Sequence, residues 1–347
     1  MNATTLLLGI FFSFLATAVP TALWTRLIWW CDRYEREPLP LLTAAFLWGA
    51  IPAVALAVFA EGILGVPFAG LGNELVGDVI SSRGIAPVVE ELAKGAALAL
   101  ILLLWPGEFD DVLDGILYGA LIGFGFGMTE NVFYFLGALD QGGWGNWGFV
   151  VFLRSVLFGL NHAFFTAFTG AGLGYARMAK GRFGRRTVPL IGLAAAILAH
   201  AIHNLGASLT SAEPGALLVS LFSDGGGVLL VAVMIGLALR QERGWVRTEL
   251  QAVVGRLLTA QEYDRLLTAG GRARQLAEAR RRGGWRAVRA ASQWQDKMTE
   301  LAFALHRARV RGADDQLARQ VSRLESSLAV ARQQAGWAGV EAAAQSG

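Results

Sequence analysis

The residues able to do chemistry stand out because they sit in long apolar stretches. They are Glu61, Glu90, Glu91, Lys94, Glu130, Arg154, His162, His200, His203 and Asp224. A charged group at the centre of a bilayer costs at least about 2.5 to 3.5 kcal/mol on insertion scales, so each needs a reason to be there. Glu90-Glu91-Leu92-Ala93-Lys94 places two adjacent carboxylates and a lysine about six residues into one such stretch. Lys94 lies one helical turn after Glu90, an i,i+4 spacing that lets the ammonium offset one carboxylate. The other carboxylate is left over, as wanted of a group that exchanges protons with water. The alternative is a buried ion pair that only fixes helix packing. Glu61, near a helix end, reads as an interfacial residue, and Arg154 as one that snorkels outward.

Glu130 follows Gly123-Phe124-Gly125-Phe126-Gly127, while His162 and His200 lie in two further apolar helices. His203 and Asn204 follow His200 by three and four residues, which puts all three on one helical face. Asn204 can orient a histidine or donate to a developing oxyanion. Glutamate, histidine and water are the parts of metal-assisted hydrolysis: imidazole and carboxylate hold a divalent ion and a further carboxylate takes a proton from the bound water. The metal set read this way is Glu130, His162 and His200, with zinc the first candidate. Glu90, Glu91, Lys94, His200 and Asn204 form the catalytic set. No His-Glu-x-x-His sequence is present, so a metal would be assembled across helices. A metal-free site, with glutamate and histidine activating water directly, uses the same residues.

The elements that must position these groups are membrane helices. The chain is 54% hydrophobic and 16% charged, against about 25% charged in a soluble domain. That excludes an average cytosolic enzyme. The one cysteine, Cys31, allows no intramolecular disulfide. A bilayer core of about 30 Å takes roughly 20 apolar residues per helix. Seven such stretches are predicted, near 4–30, 40–65, 84–106, 113–139, 148–176, 187–208 and 215–240. The last is read as a span broken at Ser223-Asp224-Gly225-Gly226-Gly227, where Asp224 supports a turn. The fold class is therefore an all-α polytopic bundle with a helical C-terminal extension.

Charge divides the chain near Arg240. Residues 1–240 carry a net charge of −4 and residues 241–347 one of +7, so 1–240 is read as the membrane domain and 241–347 as a basic, Arg-rich tail. Basic residues collect after the first span (Arg33, Arg36), the fifth (Arg177, Lys180, Arg182, Arg185, Arg186) and the seventh (Arg240, Arg243, Arg247). The alternate loops hold only Arg83. The N-terminus is then outside and the tail cytoplasmic. Without a positive n-region, the first helix reads as retained.

Alternating helix directions and a rise of about 1.5 Å per residue put Glu90 ~9 Å, Glu130 ~14 Å and His200 ~12 Å from the outer face. His162 comes out ~21 Å deep counted from Gly148, or ~12 Å if Arg154 marks the interface. On the second count, groups from four helices share the outer half of the membrane.

Gly115, Gly119, Gly123 and Gly127 recur every four residues, as do Gly170 and Gly174. Such stripes let helices approach closely. Asp110, Asp111 and Asp114 read as a solvated loop. Residues 245–335 read as two or three amphipathic helices; Arg280-Arg281-Arg282 with Trp285 and Arg286 suits anionic lipid. Nucleic acid is disfavoured as a partner, and tail-mediated protein binding or self-association stays open.

Four motifs in order resemble the PrsW family of intramembrane proteases, relatives of the CAAX-processing and bacteriocin-immunity membrane proteases. They are Glu90-Glu91-Leu92-Ala93-Lys94, Phe126-Gly127-Met128-Thr129-Glu130-Asn131, His162, and His200-Ala201-Ile202-His203-Asn204, within residues 20–240. The resemblance implies a membrane endopeptidase in which Glu90 and Glu91 are essential and His200 contributes. Glu130 and His162 take the remaining motif positions, with histidine standing at Glu130 in the CAAX-type relatives. It further implies a membrane-anchored substrate, such as an anti-sigma factor cut on its extracytoplasmic side. The alternative from another class is a transporter or scaffold whose buried polar residues carry protons or organise helices.

Overall fold

The computed structural model describes residues 1–32, 37–65, 84–179, 181–210, 212–312, 315–335 and 337. Arg33, Arg36, Arg83 and Lys180, used above for orientation, lie outside them. The described residues are helical, with no strand among them. The order is α1 (Ala3–Cys31), α2 (Leu39–Trp48), a π-helical turn (Gly49–Ala53), α3 (Val54–Gly65), α4 (Ala86–Leu104) and α5 (Val112–Val151). A second π-helical turn (Phe152–Leu157), α6 (Asn161–Met178), α7 (Arg182–Leu209) and α8 (Leu217–Gln251) follow. The tail adds α9 (Ala260–Leu266), α10 (Ala269–Arg311) and α11 (Asp315–Gln334).

Five stretches are long and apolar enough to cross a membrane: Ala3–Cys31, Leu39–Leu64, Val112–Met178, Arg182–Leu209 and Pro214–Gln251. The third cannot be one rod, since 67 residues would extend about 100 Å at 1.5 Å per residue. It doubles back at Gly143, whose φ of 67° is left-handed, and Asn146 Nδ2 donates to Ala138 O across the reversal at 3.0 Å. A second interruption falls at 158–160. The span expected over 148–176 is thus a short segment followed by α6, and His162 stands in the first turn of α6 instead of mid-helix.

The glycine stripe explains how α5 and α6 meet. A Cβ on Gly123 would lie 2.1 Å from the His162 carbonyl oxygen, and one on Gly115 2.0 Å from that of Gly170. Backbone rests on backbone, and His162 is carried against α5 as a result.

Two further expectations are corrected. Residues 223–227 do not break the seventh stretch, because α8 runs through them as continuous helix. Glycine weakens a helix by about 1 kcal/mol each, but a backbone in lipid has no water to satisfy freed N–H and C=O groups, so the helix persists. The aspartates after α4 are not simply solvated either. Asp111 caps α5, accepting from the N–H groups of Leu113 and Asp114, while Asp114 accepts from that of Asp111. Asp110 also pairs with Arg177 at 3.5 Å.

The chain divides into two compact units within α8, one reaching Gly236 and the other beginning at Leu237. The second has its own core, in which Val246, Leu250, Leu258, Trp294, Met298 and Leu301 are fully or nearly fully buried. Its long helix α10 kinks at Gly283-Gly284, where Gly284 has a φ of 63°.

Candidate active site

Four helices of the first unit bring the chemistry-bearing residues together. α4 opens with Pro87 in its first turn, where the missing N–H costs nothing. It then turns Glu90, Glu91 and Lys94 into the protein, with Glu91 and Lys94 side chains 0% exposed. Lys94 Nζ lies 2.5 Å from Glu91, 3.6 Å from Glu90 and 3.4 Å from His162 Nδ1. Glu91 is the better satisfied carboxylate: Thr166 Oγ1 donates to it at 3.1 Å and His200 Nδ1 lies 3.1 Å away. A fully buried carboxylate persists only when paired and hydrogen-bonded in this way. Glu90 differs. Its Oε2 is buried with no hydrogen-bond partner among the described residues, and His200 Nε2 is 3.8 Å from it.

α7 supplies His200, whose ring stacks on Phe165 of α6 with centroids 4.7 Å apart. The His162 and His200 rings meet edge to face at 5.2 Å. Single donor atoms of Glu90, His162 and His200 come within 4.8 Å of one another, and all three residues are buried. Two imidazoles and a carboxylate are borderline donors of the kind that hold zinc. The Glu90 oxygen has Lys94 Nζ at 3.6 Å but no hydrogen bond, which leaves a place for a metal ion to take. The residues present therefore fit a divalent metal.

Glu130, assigned to the metal set from sequence, stands at the edge of this group. It pairs with Arg154 and lies 2.9 Å from His162 Nε2. Arg154 does not snorkel outward: its Nε donates to Asn131 Oδ1 at 2.6 Å and its guanidinium sits 3.8 Å from the centre of the Tyr134 ring. A carboxylate within reach offsets a charge that lipid would not, which turns the arginine inward. Glu61, near the end of α3, opens onto the same group. With Glu90, Glu130, Tyr134, Arg154 and Asn204 it lines a cavity of about 460 Å³.

Sequence reasoning passed over Tyr134, Thr166 and Asn161. Tyr134 follows Glu130 by one turn, a spacing that could have drawn attention to it. Asn161 caps nothing in the usual sense, yet its Oδ1 accepts the His162 N–H at 2.7 Å. Thr166 is one turn beyond His162 and reads as an ordinary small core residue.

A family model described as PrsW family intramembrane metalloprotease matches residues 37–239. Among curated proteins the chain is similar to Protease PrsW of Geobacillus kaustophilus (strain HTA426), 29% identical over 153 residues, covering 43% of this chain and 59% of the relative. It is also similar to Protease PrsW of Bacillus subtilis (strain 168), 29% identical over 107 residues, covering 30% of this chain and 45% of the relative. The chain thus spans about half the length of the curated relatives it matches. No solved structure matches it.

Proposed function

The chain belongs to the PrsW family, and we propose that it is an intramembrane endopeptidase that hydrolyses a peptide bond of a membrane-tethered protein by glutamate-activated water. The observation that carries this reading is the meeting of Glu90, His162 and His200 from three helices within 4.8 Å, beside a cavity that Glu90 itself lines.

Glu90, His162 and His200 would hold a divalent metal, zinc being the first candidate. When bound, the metal supplies a Lewis acid that polarises a carbonyl and makes water more acidic. The proton steps belong to the chain. One carboxylate oxygen suffices for ligation, so the other oxygen of Glu90 takes the proton as water attacks the scissile carbonyl carbon. As the C–N bond breaks, Glu90 returns that proton to the leaving amine. Glu91 acts differently. Held by Lys94 and Thr166, it fixes the His200 ring. Glu130 orients His162 from the other side, and Arg154 offsets its charge. Asn204, on the cavity wall, donates to the developing oxyanion.

The membrane topology we infer has seven crossings. They are the five apolar stretches, with Val112–Met178 counted twice, and α4, whose Glu90, Glu91 and Lys94 are buried in the protein. The cavity is lined by Glu61 late in α3, Ile85 and Ala86 at the start of α4, and Ala207 and Ser208 at the end of α7. Those ends join the loops poor in Lys and Arg, which supports a site open to the outer side with the tail in the cytoplasm. A membrane-anchored anti-sigma factor is the candidate substrate, after the family resemblance.

The test is cleavage of a tethered substrate in proteoliposomes by wild type, Glu90→Gln and Glu91→Gln. Both variants are expected to lose activity by at least about 100-fold, the scale of general acid–base catalysis. Wild-type rates in both would overturn the reading, and proton flux without cleavage would favour a transporter.

A further inference from the structure

His203 and Asp224 are not used by the hydrolytic steps above, yet both are buried within apolar helices. His203 follows His200 on α7, and its Nδ1 lies 2.8 Å from Asp224 Oδ2 on α8. Its other nitrogen, Nε2, is 3.3 Å from Asn161 Nδ2 on α6. An amide nitrogen only donates, so Nε2 accepts and the ring proton is placed on Nδ1, which lies at ion-pair distance from the aspartate without an aligned hydrogen bond to it. The orientation of Asn161 is set independently, because its Oδ1 accepts the His162 backbone N–H at 2.7 Å. Ser220 Oγ, one turn before Asp224, donates to the His203 carbonyl at 2.8 Å and joins α8 to α7 at the same level. A continuous chain of contacts thus runs from the carboxylate on α8 to the backbone of His162.

We propose that Asp224 and His203 are positioning residues for His162. Asp224 selects the Nδ1–H form of His203, that form holds Asn161, and Asn161 fixes the first turn of α6 from which His162 reaches Glu130 and Lys94. Without the carboxylate, His203 can carry its proton on Nε2 instead. Two donors then face each other, the Asn161 amide turns over, and its nitrogen is brought against the His162 N–H. A carboxylate placed behind a histidine to fix its tautomer is a recurring way of orienting a site. Here the effect passes through an asparagine to a second histidine, and ties the site to the last membrane helix.

The kinetic part of this inference rests on the proteolytic reading, whereas the tautomer part does not. The chain has four histidines, so ¹⁵N-histidine labelling of the full protein in lipid nanodiscs gives few enough ring signals to assign with a His203→Gln reference. Wild-type His203 is expected in the Nδ1–H form. In Asp224→Asn the Nε2–H form should appear and the His162 ring signals should move. A wild-type His203 in the Nε2–H form overturns the proposal whatever Asp224→Asn does. So does an Asp224→Asn spectrum in which His162 is unchanged. With a cleavable substrate, Asp224→Asn should lower kcat about 10- to 100-fold at little changed KM, the usual effect of losing such an outer partner. An unchanged kcat overturns the positioning role. Failure of every variant and of wild type to cleave would sink the protease reading alone and leave the tautomer result to decide this one.

Discussion

Gly123→Ala isolates the claim that a bare glycine surface delivers His162 to the site. The added Cβ would lie 2.1 Å from the His162 carbonyl oxygen, about 1.3 Å short of ordinary contact at 3.4 Å. The obstacle is backbone on α6, which cannot rotate aside as a side chain would, so α5 and α6 must separate by about 1 Å or bend. Overpacking of this kind costs roughly 1 to 3 kcal/mol. A displacement of about 1 Å in a reacting group costs on the order of 100-fold in rate. The same change at Gly236, where a Cβ meets nothing within 4 Å, adds helix propensity without a clash and serves as the control. Thermal melting in detergent and cleavage in proteoliposomes are measured for both. Gly123→Ala should melt lower and cleave at about a hundredth of the wild-type rate, with Gly236→Ala close to wild type. If Gly123→Ala melted and cleaved like Gly236→Ala, close packing at this glycine would not be what positions His162.

Two other outcomes are expected. Asp111→Ala removes the acceptor that caps α5 and should destabilise the protein by about 1 kcal/mol, seen as lower melting with an unchanged cleavage rate. In the second unit, burial lowers the pKa of His306, with Glu249 partly opposing the shift. The unfolded chain then binds the proton more readily than the folded one. The stability contribution is present above the unfolded value of about 6.5 and is lost as pH falls toward the folded value. Hydrogen exchange in α10 should quicken over that window, and His306→Gln should remove the dependence. The effect is small because the ring is only half-buried.

Much of the site was legible because burying charge in an apolar helix is costly enough to demand a purpose. Glu90, Glu91, Lys94, His162 and His200 are conspicuous on that ground alone, and the structure gathers them. What the sequence did not reveal depended on partners far along the chain. Arg154 reads as snorkelling until Glu130, 24 residues earlier, is placed beside it. That Glu90 groups with both histidines within 4.8 Å depends on how α4 is rotated, which periodicity does not resolve. Gly225-Gly226-Gly227 looks like a break by local propensity, yet α8 continues through it, because lipid offers the backbone no other partners. The interruption before Asn161 has the opposite character: Phe158-Gly159-Leu160 is apolar throughout, so hydropathy runs across it unmarked.

The central claim is that Glu90, His162 and His200 form one centre. Metal content of purified protein tests it most directly, comparing wild type with Glu90→Gln, His162→Ala, His200→Ala and Glu130→Gln. The expected result is about one equivalent of divalent metal in wild type, loss in the first three variants and retention in Glu130→Gln. Equal metal content in all five proteins, or loss in Glu130→Gln alone, would contradict it.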